Sequence, residues 1–136
     1  MIRAQPFLKW AGGKGQLLDQ YESVFPAGPV RAYFEPFLGS GAVFFYLRGR
    51  GFASEYHLSD SNAELINAFL AVRDRLDELI DRLKGHESAH SREHYYAVRA
   101  WDRQPPDDYS DVDRAARLIY LNKTCYNGLW RVNSQG

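Results

Sequence analysis

The sequence predicts an α/β protein built on one β-α-β unit, and three observations carry that expectation. "VRAYFEPFLGSG" sets an alternating apolar run directly before a glycine-rich turn. "AVFFYLRGR" follows as an apolar stretch suited to a buried helix, and "EYHLSD" supplies a second short strand that ends on an acid. Strand, glycine turn, helix, strand and helix make one half of a nucleotide-binding α/β unit. At 136 residues, 45% hydrophobic and 25% charged, the chain has the length and composition of one ordinary globular domain.

The elements follow in order. The opening stretch "FLKWAGGKGQLL" crowds Gly12, Gly13 and Gly15 around Lys14 and one tryptophan, a loop with unusual backbone freedom. A short helix is expected over residues 15–24, where Leu17, Leu18 and Tyr21 fall at helical spacing. "PAGP" is a loop, and the first strand then runs from Val30 until Pro36 stops it. The second strand is expected over residues 55–60. Ser61 then caps one long helix, with Glu64 completing a capping box. Leu65, Ile66, Phe69, Val72, Leu76, Leu79, Ile80 and Leu83 keep its helical period until Gly85 ends it. Another helix covers residues 92–101 and is broken by "QPPDD". The last covers residues 111–122 and turns Ala115, Leu118, Ile119 and Leu121 inward. "CYNGLWRVNSQG" closes the chain as a turn-rich segment in which Asn127-Gly128 signals a hairpin.

Net charge is zero, but its distribution is uneven. Residues 1–51 hold six Lys/Arg against three Asp/Glu, residues 52–111 seven against thirteen, and residues 112–136 four against one. Both ends are basic around an acidic middle, so an anionic partner is expected at the ends. The single Cys125 excludes an internal disulfide. The first ten residues lack the apolar run of a signal peptide, and the longest apolar run, residues 42–47, is too short to span a bilayer. A cytoplasmic protein with no membrane partner is expected.

Four stretches bear on chemistry. In "FEPFLGSGAVFF" the small residues let a ligand approach bare backbone N–H groups where a helix begins. Asp60, twenty-one residues beyond Gly39, has the spacing at which an acid reaches ribose hydroxyls in such units. It suits an ordinary helix entry as well. "GGKGQ" is not a phosphate loop, because no hydroxyl follows Lys14 to hold a magnesium ion and no strand precedes it. "NKTCYNGLWRVN" combines Lys123, Tyr126, Asn127, Trp130 and Arg131, types that match base edges and stack on bases, yet equally an ordinary hairpin with its aromatics packed inward. His86, His90 and His94 recur every four residues, but nothing completes a metal site and Gly85 argues against a helix through His86. No metal is expected.

"FLKWAGGKGQLL", "YFEPFLGSGAVFF", "LSDSNAELINAF" and "LNKTCYNGLWRVNSQG" stand in the order found in Dam-type DNA adenine N6-methyltransferases of the D12 class, which the chain resembles over nearly its whole length. The resemblance implies S-adenosylmethionine as cofactor, a Rossmann-like, doubly wound methyltransferase fold of which this is the first β-α-β unit, and double-stranded DNA as substrate. It implies that Trp10, Ala11 and Lys14 close over the cofactor, with Lys14 pairing its carboxylate and Trp10 forming an aromatic wall. Glu35, Pro36, Phe37, Gly39, Ser40 and Gly41 would form the glycine-turn site, and Asp60 would hold the ribose hydroxyls. Lys123, Tyr126, Asn127, Leu129 and Arg131 would face DNA. The implied division is a cofactor part over residues 1–84 and the helical start of a target-recognition region over residues 85–136.

One departure limits the implied activity. The family's catalytic Asp-Pro-Pro-Tyr tetrad has no counterpart, since "QPPDDY" carries Gln104 in place of the acid and precedes the recognition segment. No catalytic residue is therefore assigned, and residues 1–136 alone are expected to transfer no methyl group. The chain is expected to be the N-terminal part of an adenine methyltransferase, from a restriction–modification system or a solitary enzyme. The alternatives are one subunit of a split enzyme, or a non-catalytic cofactor- or DNA-binding module. Two strands without sheet neighbours imply an open edge, so self-association or dependence on a further C-terminal part is expected.

Overall fold

A computed structural model describes residues 3–125. They divide into two compact units, Met1–Ser61 and Asn62–Gly136. In the first, a 3-10 turn over Lys14–Leu17 leads into the short helix α1, Leu18–Glu22, in place of one helix over residues 15–24. No side chain caps either piece, which leaves the glycine-flanked start without a regular first turn. Strand β1, Val30–Glu35, stops before Pro36 as the proline demands. Helix α2, Ala42–Gly49, starts on Gly41 in the left-handed conformation at φ 77°. Strand β2, Ala53–Leu58, begins two residues earlier than the pattern suggested. β1 and β2 pair in parallel, Val30 opposite Ala53 and Glu35 opposite Leu58. The α2 crossover makes this the β-α-β unit read from the sequence, and it leaves an α/β unit with a two-stranded parallel sheet among the described residues.

One face of that sheet is packed, and the other is open toward the carboxyl ends of its strands. Tyr33 and Tyr56 meet edge to face at 6.0 Å, and Phe44 of α2 closes on Tyr56 at 5.5 Å. The next residues along each strand point the opposite way. Phe34 and His57 stack there at 4.5 Å, and both are exposed.

In the second unit the single long helix is two: α3, Ala63–Asp74, and α4, Leu76–Ala89. Arg75 separates them at φ −139°, ψ 41°, with no glycine or proline to account for the break. Both helices pack on α6, Asp111–Thr124. A continuous rod over residues 63–89 would run about 40 Å, whereas the 14 residues of α6 give it only about 21 Å, so the break lets both halves reach one short helix. Asn62, not Ser61, caps α3 by accepting the Leu65 N–H at 3.1 Å. Glu64 is taken up by Arg114 rather than by a capping box. Gly85 lies inside α4, so His86 is helical after all. Its cost in a helix interior, about 1 kcal/mol, is tolerated with Leu79 and His86 buried on the same helix. Leu76 and Ile80 are exposed, against the expected inward stripe.

Helix α5, Arg92–Arg99, starts on a Ser91 cap and passes into a 3-10 turn, Ala100–Arg103, that carries Trp101. α6 opens with a full Ser110–Asp113 capping box and buries Ala115, Leu118, Ile119 and Leu121, the positions expected to turn inward. It also buries Arg117, whose guanidinium donates to Val98 O at 2.9 Å and Arg99 O at 2.7 Å. No helix among the described residues is long and apolar enough to cross a membrane.

Candidate cofactor site

The carboxyl ends of β1 and β2 lie side by side, and the chain that leaves each strand builds the rim of a cleft. After β1, Leu38 N–H donates to Ser59 O at 3.0 Å and Gly41 N–H to Leu38 O at 2.9 Å, which folds residues 38–41 into a tight turn. Gly39 takes φ 54° there, a left-handed conformation that a side chain would strain. Its N–H donates to Asp60 Oδ2 at 3.0 Å. The acid at the end of β2 is thereby tied to the glycine turn at the end of β1.

The N-terminal loop supplies the facing wall. Trp10 O accepts the Gly13 N–H at 3.0 Å across a turn in which Gly12 has φ 73°. A Cβ on Gly13 would sit 3.1 Å from Trp10 O, and one on Gly39 would sit 3.4 Å from the Trp10 ring. Two glycines from distant parts of the chain therefore flank one tryptophan where no Cβ fits comfortably. Lys14 leaves this loop with its Nζ 3.1 Å from Glu35 Oε1, and it donates to Phe37 O. Glu35 is 4% exposed, and the Lys14 ammonium compensates its buried charge. Burial, then the negative charge of Glu35 and a hydrogen bond to it, push the neighbouring Tyr33 phenol up, which keeps it protonated.

The resulting cleft encloses about 260 Å³ between Trp10, Ala11, Lys14, Phe37, Gly39, Ser40 and Asp60. Gly12, Gly13 and Leu38 line it as well. Leu38 was invisible in the sequence, because an apolar residue before a glycine turn reads as core. Glu35 and Pro36 line a neighbouring concavity of about 310 Å³ that shares Lys14 and Phe37. Gly41 lines neither and serves as the N-cap of α2. Lys123 is exposed in the last turn of α6. Tyr126, Asn127, Leu129 and Arg131 fall outside the described residues.

A glycine turn at the carboxyl end of a parallel β-α-β unit stands where open α/β sheets hold their ligands. The comparisons make the class specific. The family model of the D12 class N6 adenine-specific DNA methyltransferases matches residues 10–136, and the chain belongs to that family. It is 40% identical over 146 residues to the type II methyltransferase M.MjaIII of Methanocaldococcus jannaschii, covering 99% of this chain and 50% of that protein. It is 40% identical over 135 residues to the type II methyltransferase M1.LlaDCHI of Lactococcus lactis subsp. cremoris, covering 98% and 46%. It is 36% identical over 138 residues to the DNA adenine methylase of Escherichia coli K12, covering 100% and 46%. The chain spans about half the length of these curated relatives.

Proposed function

We propose that this chain provides the S-adenosylmethionine site and the start of the DNA-recognition region of a site-specific DNA adenine N6-methyltransferase, on the first β-α-β unit of a Rossmann-like fold. The observation that carries the reading is the Gly39–Asp60 hydrogen bond at 3.0 Å, which ties the glycine turn to the acid in a cleft that the Trp10–Lys14 loop also lines. The division of roles falls at residues 1–84 and 85–136.

The residues present fit a sulfonium nucleoside. Gly13 and Gly39 leave backbone bare beside Trp10, where an added Cβ would meet the Trp10 carbonyl or ring. Asp60 is an acceptor for ribose hydroxyls at the end of β2, Trp10 offers an aromatic wall, and Lys14 presents a cation to an amino acid's carboxylate. When bound, the cofactor supplies a methyl group on an electron-poor sulfur. The chain's own part is to orient it, since positioning is a large share of such a rate effect. Lys123, Tyr126, Asn127, Leu129 and Arg131 are assigned to DNA, where adenine must leave the duplex to be reached. The groups that would hold the adenine amino group are not in this sequence, so a continuation or a partner chain must bring an Asp-Pro-Pro-Tyr segment. The site is assigned to the cytoplasm, where its DNA substrate lies.

Calorimetry with S-adenosylmethionine tests the reading, first on this chain and then on a form extended through the tetrad. Weak or no binding is expected for the short form, and methylation of duplex DNA only for the long one. In the long form Asp60→Ala and Lys14→Ala each lower cofactor affinity at least tenfold, a loss of about 1.4 kcal/mol. Full affinity in both variants, or methylation by residues 1–136 alone, overturns the assignment.

A further inference from the structure

The three histidines at four-residue spacing have no part in the cofactor reading, and the structure gathers them at one point. His86 lies near the end of α4, His90 is the residue that closes that helix, and His94 sits in the first turn of α5. His86 is 8% exposed, and its Nδ1 is 3.0 Å from Nε2 of His94. Its ring stacks on Tyr120 of α6 at 4.9 Å and lies 5.8 Å from the ring of Trp101. His90 Nδ1 is 2.8 Å from the Tyr120 hydroxyl, and the His94 ring meets Tyr120 edge-on at 5.5 Å. One tyrosine and one imidazole pair therefore hold the turn between α4 and α5 to α6.

The proton count across that pair is restrictive. Two imidazole nitrogens 3.0 Å apart share a single proton, one ring donating and the other accepting. The bond exists when both rings are neutral and survives one added proton. A second added proton leaves no acceptor, and two cations face each other with one of them buried against Tyr120. The surrounding charges are already committed. Asp113 of α6 is bound by Arg82 of α4 at 2.7 Å, and Arg117 of α6 is paired with Asp102 at 3.5 Å. Tyr95 of α5 packs against the cluster of Val98, Tyr120 and Leu121.

We propose that the His86–His94–Tyr120–His90 cluster is a proton-operated latch: neutral imidazoles pin the α4–α5 turn to α6, and protonation of the His86–His94 pair releases it. Burial, then the nearby His94, hold His86 below the ordinary imidazole value, with Asp113 opposing. A histidine lowered in the folded state is protonated first in the unfolded chain. The stability it contributes is thus complete above about pH 6.5 and is lost as pH falls from there through the lowered folded value. α6 runs in sequence directly toward Tyr126, Asn127, Leu129 and Arg131, so release loosens the helix that precedes them. The latch stands on the second unit alone and does not depend on the cofactor assignment.

Denaturant titrations of the full chain between pH 8 and pH 5 test it, with His94→Gln, whose amide can still bond His86 but does not titrate, and with His57→Gln, an exposed histidine of the other unit, as control. Below pH 6.5 the folding equilibrium constant of the parent and of His57→Gln falls by up to about tenfold per pH unit for each proton taken up, and that of His94→Gln falls less steeply. Equal slopes for the parent and His94→Gln overturn the proposal. Imidazole nitrogen NMR of the parent is the second reading and decides alone if His94→Gln does not fold. His86 staying neutral well below pH 6.5 supports the latch, and His86 and His94 both titrating as ordinary histidines overturns it.

Discussion

A carboxylate buried at the end of a strand, 4% exposed, requires a cation, and Glu35 draws it from a loop twenty-one residues earlier. Lys14 therefore has two tasks. It neutralises Glu35 now, and in the proposed reading it also meets the cofactor's carboxylate. Lys14→Met leaves Glu35 buried without its counter-charge. The expected cost is about 2–3 kcal/mol in denaturant titrations, somewhat below the range for a fully buried pair because Lys14 is 28% exposed. Adding Glu35→Gln to Lys14→Met recovers most of the loss, and a double variant no more stable than the single one removes the ion-pair argument. Gly39→Ala is the complementary case. At φ 54° the new methyl costs about 1–2 kcal/mol of backbone strain and approaches the Trp10 ring at 3.4 Å, so both stability and cofactor affinity are expected to fall. The glycines and Asp60 were legible in the sequence from their spacing. The Lys14–Glu35 pair was not, because no periodicity links a loop lysine to a strand-end acid.

At the scale of elements, the β-α-β unit and α6 followed from pattern, since Pro36 ends one strand and Ala115, Leu118, Ile119 and Leu121 mark the buried face of the helix. The break at Arg75 did not. Leu65 and Leu79, buried on either side of it, keep the helical period across the junction, and periodicity reports which side faces inward rather than whether the axis is continuous. The bidentate contact from Arg75 to Glu78, at 3.0 and 2.6 Å, lies on the surface and leaves no apolar signature. His86 differs from expectation for a related reason: Gly85 signals a terminator in the sequence pattern, but the helix continues past it to Ala89. The Ser110 cap offers a direct measure of local design. Ser110→Ala removes the acceptor of the Asp113 N–H and the partner of its carboxylate, and a loss of about 1 kcal/mol is expected in thermal or denaturant unfolding.

For the whole molecule, the apolar surface that remains exposed is the main physical fact. Val24, Phe34 and Phe37 are 74%, 67% and 79% exposed on the first unit, and Leu70, Leu76 and Ile80 are also uncovered on the second. Scattered exposed leucines are ordinary, but three large side chains lining one concavity beside a strand edge are not. Sedimentation velocity of the isolated chain is expected to show concentration-dependent association, and Phe34→Lys with Phe37→Lys is expected to reduce it. A sharp monomer peak across a hundredfold range of concentration for the parent would count against that reading.

The parallel pairing of β1 and β2 carries one more consequence. Among the described residues β1 has a neighbour on one side alone. Any polypeptide that lies along its other side in the same direction delivers its outgoing end beside Gly39 and Asp60, at no extra cost in connection or curvature. The geometry thus sets a delivery address: new functional groups reach this cleft by strand orientation, whichever chain they arrive on.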